Sequence, residues 1–362
     1  MAKLGDICTN QSSNIKQSDL ENNNGSYPIY GASGLIKNVD FYKQEKPYVA
    51  IVKDGAGVGR VMQLPAYSSV IGTMQYIIPN DDTDVKYLAY AMEHMNLAKY
   101  YSGATIPHIY FKDYKNEYIK GHNIETQKKI ATTLDKVTHT IDTCNAILEK
   151  LDLLVKSRFV EMFGDIVYNT KQWKTYVFSE IATSRLGKML DTKKQTGNYS
   201  FPYLANYNVQ WFRFELDNLN QMDFNEKDQV EFALEEEDLL VCEGGEIGRC
   251  AIWHNEVSPC FFQKALHRVR CNKDIIIPTY LAWWFRFNCD NNGFSEIEGA
   301  KATIAHLPGA KLKKLSVVVP PLYLQNQFAD FVTQIDKSKL AVKQVLEKAE
   351  TLKKALMQEY FG

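Results

Sequence analysis

Threonine and histidine recur at one spacing in the two halves of the sequence, as Ala104-Thr105-Ile106-Pro107-His108 and Ala302-Thr303-Ile304-Ala305-His306. Hydroxyl and imidazole groups both donate and accept hydrogen bonds. Glycine-rich turns that end in arginine also recur, as Lys53 to Arg60 and Gly244 to Arg249. Polar and basic side chains on turns suit recognition of polar groups more than bond-making. Gly55-Ala56-Gly57-Val58-Gly59 could start a nucleotide-binding enzyme reading. No Lys-Ser/Thr follows it, however, and a strand rather than a helix comes next. No nuclease carboxylate–lysine cluster and no serine or cysteine nucleophile motif is found. The seven cysteines are scattered without a C-x-x-C pair, so neither a zinc site nor a disulfide framework is indicated.

The elements that must position these residues form an internal repeat. Glu125 to Gly164 aligns without a gap on Tyr323 to Gly362, with Gln127 on Gln325, Leu148-Glu149-Lys150 on Leu346-Glu347-Lys348, and Phe163-Gly164 on Phe361-Gly362. Apolar residues in the first copy run Ile130, Leu134, Val137, Ile141, Cys144, Leu148, Leu151, Val155, in steps of four and three, then Met162 a heptad on. This is a coiled-coil seam, predicting a helix of about 55–60 Å. The second copy keeps Phe328, Val332, Ile335, Val342, Leu346, Ala349 and Leu356 but places Lys339 and Lys353 on the seam. The two helices are expected to cover each other. The alternative is two surface helices, each packed on its own domain.

The 362 residues leave room for two domains. No window resembles a signal peptide or a transmembrane span, which predicts a soluble, cytoplasmic protein with no membrane partner. The net charge of −1 argues mildly against a free-standing nucleic-acid binder. Strands are predicted at Tyr48–Lys53, Arg60–Leu64 and Gln75–Ile78, and a helix at Val85 to Tyr101. A second set is predicted at Asp238–Glu243, Arg249–Trp253, Phe261–Arg270 and Tyr280–Phe287. The fold class is thus α/β (α+β): two small globular domains related by a pseudo-two-fold, separated by two long antiparallel helices. The expected boundaries are 1–122 and 165–318 for the domains, 123–164 and 319–362 for the helices.

Two similar domains on a rigid spacer suit a polymer with two short sites, and duplex DNA is the natural candidate. The set of motifs resembles one family, the specificity (S, HsdS-type) subunit of Type I restriction–modification systems. The resemblance covers nearly the whole chain. In the first half it rests on Tyr-Pro-Ile-Tyr-Gly-Ala-Ser-Gly at 27–34, on the Lys53–Arg60 turn and on Gly103 to Ile109. In the second half it rests on Phe201-Pro202-Tyr203-Leu204, Asp238 to Val241, Gly245 to Arg249, Ala302 to Leu307, and Val317 to Gln325. One departure is His122-Asn123 where the second copy has Pro320-Pro321, which puts the entering angle of the first helix in doubt. The resemblance implies a non-catalytic subunit with two target-recognition domains, each reading half of a split, asymmetric DNA site. It implies docking of two methyltransferase (modification) subunits that hold S-adenosylmethionine and methylate a flipped adenine. It further implies two restriction subunits that use ATP and magnesium, and no cofactor on this chain.

Candidate DNA-binding residues are those able to reach base edges or phosphates. In the first half they are Tyr30, Ser33, Lys53, Arg60, Thr105, His108, Tyr110 and Lys112. In the second they are Arg249, Gln263, Lys264, His267, Arg268, Lys301, Thr303 and His306, with Lys188, Lys193 and Lys194 as backbone contacts. Arg60 and Arg249 could equally pair with carboxylates, and His108 and His306 could join each domain to its helix. Val319-Pro320-Pro321-Leu322-Tyr323 superficially resembles the catalytic tetrapeptide of adenine methyltransferases. Val319 cannot accept from an adenine amino group, so that reading fails. A further alternative is a coiled-coil scaffold whose end domains bind proteins.

Overall fold

The first apolar seam folds as one unbroken α-helix, Ile124–Phe163, and its repeat as another, Leu322–Phe361, each of 40 residues. The computed structural model describes residues 1–103, 107–191, 193, 195–295 and 306–362. The chain divides into two units, Met1–Ile147 with Ala341–Gly362, and Leu148–Leu340. Each long helix contributes to both. In the first unit Ile130, Ala131 and Leu134 share a core with Leu356, Met357 and Tyr360. In the second, Val155, Phe159 and Met162 share one with Phe328, Val332 and Ile335. Each unit therefore sets the first part of one long helix against the last part of the other, as an antiparallel pair requires. Phe159, which the sequence seam passes over, is fully buried and its ring lies 5.4 Å from that of Phe328. The two seam lysines stay half-buried because acids meet them. Lys339 Nζ lies 2.6 Å from Asp152, and Lys353 Nζ lies 3.1 Å from Glu93. Asn123 caps the first long helix, its Oδ1 accepting from Thr126 N–H at 2.9 Å.

The remainder of each unit follows one plan. An antiparallel four-stranded sheet runs Cys8–Ser12, Met74–Pro79, Tyr48–Val52, Val61–Leu64 in the first unit. The second unit repeats that order with Ala182–Leu186, Leu266–Cys271, Leu239–Cys242, Cys250–Ile252. The third strand of each is buried on both faces, which is why it reads as a continuous apolar run. Val49 and Ile51 face the helix Val85–His94, while Tyr48, Ala50 and Val52 face a second core. Leu239 and Val241 alternate with Leu240 and Cys242 in the same way. A three-stranded sheet backs each second core: Gly34–Val39, Tyr27–Gly31, Ser69–Val70, and Asn220–Asp223, Ser200–Leu204, Phe261–Phe262. In both, the last pairing is parallel.

Two local differences separate expectation from structure. The predicted helix 85–101 stops at His94, because Asn96 adopts a left-handed φ of 50° and a 3-10 turn, Leu97–Tyr100, follows. Where the first unit closes Tyr27–Gly31 onto Gly34–Val39 by the turn Ala32-Ser33, the second inserts Ala205 to Leu219. That insert contains a small hairpin, Val209–Gln210 with Arg213–Phe214. All seven cysteines are free thiols, and burial pushes those of Cys8, Cys260 and Cys271 up to about 12. Among the described residues no helix is long and apolar enough to cross a membrane, and no side-chain cluster could hold a metal ion.

A repeated glutamine joins each unit's short helix to a long one. Gln127 Oε1 accepts from Asp84 N–H at 2.8 Å, and its Nε2 donates to Asp82 O at 3.1 Å and His122 O at 2.8 Å. Gln325 makes the same three bonds, to Ile277 N–H at 3.1 Å, Ile275 O at 3.0 Å and Pro320 O at 2.8 Å. His122 thus offers the same carbonyl as Pro320. A tyrosine reinforces each joint: Tyr87 Oη donates to Lys120 O and Tyr280 Oη to Val318 O, both at 2.7 Å. Burial pushes the Tyr87 phenol up to about 12 and the Tyr280 phenol well above its ordinary value. Gln325→Ala leaves three backbone groups unpaired at a fully buried position. We expect a loss of about 2 kcal/mol or more in urea denaturation, since each unmet buried group costs about 1–3 kcal/mol. A loss below about 0.5 kcal/mol would show that water replaces the side chain.

Candidate nucleic-acid interface

In the first unit the glycine turn ends the doubly buried strand Tyr48–Val52 and is held at both sides. Gly55 and Gly59 have φ of 92° and 85°, and a Cβ on Gly59 would lie 2.5 Å from Ala98 N. His108 reaches back to this turn: its Nδ1–H donates to Asp54 Oδ1 at 2.6 Å, while Gly55 N–H donates to Pro107 O at 3.0 Å. The other Asp54 oxygen pairs with Lys53 Nζ at 3.1 Å. Arg60 closes the assembly by donating from Nη1 to Ala32 O at 2.8 Å. Three segments, 31–34, 53–60 and 107–110, are thereby brought together. Ser33, Arg60, Tyr110 and Lys112 are exposed there, and Lys112 Nζ lies 5.3 Å from the Tyr110 ring. Tyr30 is half-buried against the second core.

The second unit builds the same cradle from different side chains. Gly245 and Gly248 have φ of 85° and 76°, and a Cβ on Gly248 would lie 2.8 Å from Phe285 Cδ1. His306 Nδ1 lies 4.0 Å from Glu243 Oε1, and Leu307 N–H donates to Glu243 O at 2.6 Å. Arg249 Nη2 donates to Asn206 O at 3.1 Å and Asn206 Oδ1 at 2.7 Å. Asn206 Nδ2 then donates to Gly244 O at 3.0 Å. Lys264 and His306 are exposed, and Gln263 is half-buried.

Other candidates are engaged within the unit. His267 is 1% exposed and its Nε2–H donates to Leu307 O at 3.1 Å. Burial holds its imidazole below the ordinary histidine range, against the weaker pull of the Leu307 carbonyl. Arg268 Nη1 donates to Glu231 O at 3.1 Å and Ala233 O at 2.8 Å, and its guanidinium covers the Phe262 ring. Burial lowers the Arg268 pKa. Lys188 Nζ pairs with Asp228 at 2.6 Å. Thr105, Lys194, Lys301 and Thr303 lie outside the described residues.

The sequence reading missed Asp54 and Glu243, and it missed Asn206 and Tyr207. Asp54 and Glu243 each precede the turn arginine by six positions. Asn206 follows Pro202 at the distance at which Ala32 follows Pro28. Aligning the units on those prolines and arginines would have found all of them.

The sequence model of the family described as Type I restriction modification DNA specificity domain matches residues 1–153 and 170–352. The chain belongs to this family. It is a Type I restriction–modification specificity subunit, a DNA-recognition chain and not the catalytic component. Solved structures agree on the fold. The S subunit of a Type-I restriction-modification system from M. genitalium superposes with a TM-score of 0.67 at 14% identity, covering 100% of this chain and 95% of that one. A chain from a structural study of complex assembly and conformational transition of the type I R-M system gives 0.57 at 12% identity, covering 99% and 96%.

The specificity subunit's two turn arginines should respond differently to truncation. Arg60 is exposed, so Arg60→Ala should change thermal stability by no more than about 0.5 kcal/mol. Arg249→Ala removes two hydrogen bonds at a half-buried site and should cost about 1–2 kcal/mol. Equal losses in paired melts would contradict this. His267 predicts a pH dependence. Its folded pKa lies below the unfolded value of about 6.5, so the unfolded chain binds the extra proton. Its stabilising share is present above that pKa and is lost as pH falls from about 6.5 towards the folded value. His267→Gln, whose Nε2 can stand where the imidazole Nε2 donates to Leu307 O, should flatten the denaturation midpoint across that window; an undiminished slope would assign it to other groups.

Proposed function

We propose that this specificity subunit reads a split, asymmetric DNA site, one half by each glycine-turn cradle, while its long helices serve as spacer and docking surface for two modification subunits. The observation that carries this reading is the cradle itself. One sheet topology, one arginine-to-carbonyl grip and one histidine–carboxylate pair occur in both units, yet the exposed residues they present differ. A repeated frame with divergent tips fits two different targets better than one target bound twice. In the first unit Ser33, Arg60, Tyr110 and Lys112 are the side chains offered to DNA, with Tyr30, Lys53 and His108 supporting them. In the second they are Lys264, Gln263, Tyr207 and His306, with Arg249 supporting them. Thr105, Lys301 and Thr303 remain candidates by residue type. Lys188, His267 and Arg268 hold the second unit together beneath that surface. S-adenosylmethionine would be held by the modification subunits, and ATP with magnesium by two restriction subunits, leaving this chain without a cofactor.

The test is genome-wide mapping of methylated adenine in cells that carry this chain with its modification partner, against cells that lack it. The expected result is a split motif that depends on the chain. Replacing Ala205 to Leu219 should then alter one half of the motif and leave the other intact. A purified complex with the modification partner but no chain-dependent motif would favour a protein-binding scaffold.

A further inference from the structure

Between Asn206 and Asn208 the second unit presents one exposed aromatic ring, Tyr207, on a turn whose other atoms are fixed. Asn208 is buried: its Oδ1 accepts from Ala205 N–H and its Nδ2 donates to Glu215 O, both at 2.8 Å. Asn206 is held on the other side by Arg249 and by Gly244 O. Tyr207 O accepts from Gln210 Nε2 at 2.9 Å, and the phenol oxygen accepts from Asn220 Nδ2 at 2.8 Å. The side chain nevertheless stays 53% exposed. A ring fixed at both ends loses little further freedom on binding, which is the condition for a sharp contact.

The first unit has a residue at the same place. Tyr27–Gly31 and Ser200–Leu204 each make the parallel pairing of their sheet. The carbonyl that Arg60 grips belongs to Ala32, and the one that Arg249 grips belongs to Asn206. The next residue is exposed in both: Ser33 in one unit, Tyr207 in the other. We propose that this turn position determines specificity in each unit, that Tyr207 reads a base in the second half-site, and that Asn206 and Asn208 are its positioning residues. The proposal rests on the DNA-reading function above. It also specifies the chemistry of the contact. Asn220 occupies the acceptor side of the phenol oxygen, leaving the O–H to donate. Its partner is therefore an acceptor on a base edge in the major groove: a purine N7, guanine O6 or thymine O4. A phosphate oxygen would satisfy the same donor but carries no sequence information.

The experiment maps methylated adenine, and measures methylation rates on matched and singly mismatched duplexes, for the complex of the full chain with its modification subunits. The variants are Tyr207→Phe, Asn206→Ala and Ser33→Ala. Tyr207→Phe keeps the ring and removes only the hydroxyl. It should relax discrimination at one base position of one half-site by roughly 2- to 13-fold, the range of one lost neutral hydrogen bond, with the other half-site unchanged. Asn206→Ala should relax that same position, and Ser33→Ala a position in the opposite half. An even fall in rate on every duplex with Tyr207→Phe would indicate a phosphate contact and overturn the proposal, as would an unchanged motif. Lower stability with unaltered discrimination in Asn206→Ala would overturn the positioning role. A wild-type chain that yields no split motif would remove the DNA-reading function itself, and this inference with it.

Discussion

Gln127 and Gln325 each hold backbone groups from separate segments at positions that solvent barely reaches. An amide side chain is suited to this because it accepts at one end and donates twice at the other. Each glutamine ties the beginning of a unit's short helix, the loop before it and the segment that enters a long helix into one knot. The knot adds buried, directional bonds to apolar contacts that are non-directional, beside more exposed polar contacts such as Tyr90 Oη with Asp135 at 2.9 Å and Lys156 with Asp290 at 3.1 Å. The joint thereby helps to fix the orientation of what is built on the sheet, the glycine turn included. The tyrosines at 87 and 280 close it from the other side.

Above the joint, each unit's central sheet works as a two-sided partition. One face packs on the short helix, the other on a second sheet, so the middle strand has no freedom to slip: a one-residue shift would exchange its two buried faces. The glycine turn at the end of that strand inherits its rigidity. The histidine–carboxylate pair and the arginine grip then fasten neighbouring segments to the turn. In the first unit the histidine–carboxylate contact is a short hydrogen bond of 2.6 Å, whereas in the second it is a looser 4.0 Å contact and the arginine grip carries more of the hold.

Much of this was legible in the sequence. The repeat placed the first long helix within a residue at each end and the second within one residue at its end and three at its beginning, and the glycine turns and the apolar runs of the doubly buried strands were readable. Phe159 escaped because the seam was counted across one full heptad from Val155 to Met162. The helix after Val85 was overextended because an asparagine in a left-handed conformation leaves no apolar signature. The burial of His267 was not legible for a more general reason. Leu266–Cys271 is covered on both faces, so alternation cannot separate a residue facing the core from one facing solvent, and a polar residue in such a strand reads as a surface group. Asn206 and Tyr207 were overlooked because the second unit's insert breaks the alignment there; only the flanking proline and arginine keep the correspondence.

The grip of Arg60 on Ala32, and of Arg249 on Asn206, falls on a main-chain carbonyl. Every amino acid carries that oxygen. Part of the hold on each tip is thus an atom that no substitution can remove, to which the second unit adds the Asn206 amide, and the residue that follows is free to vary without disturbing that support. A lineage can exchange the tip, or lengthen it as Ala205 to Leu219 lengthens the second one, while inheriting the frame unchanged. Diversification of such a protein would proceed by replacing what the frame carries, with each new tip tried on a scaffold that already folds.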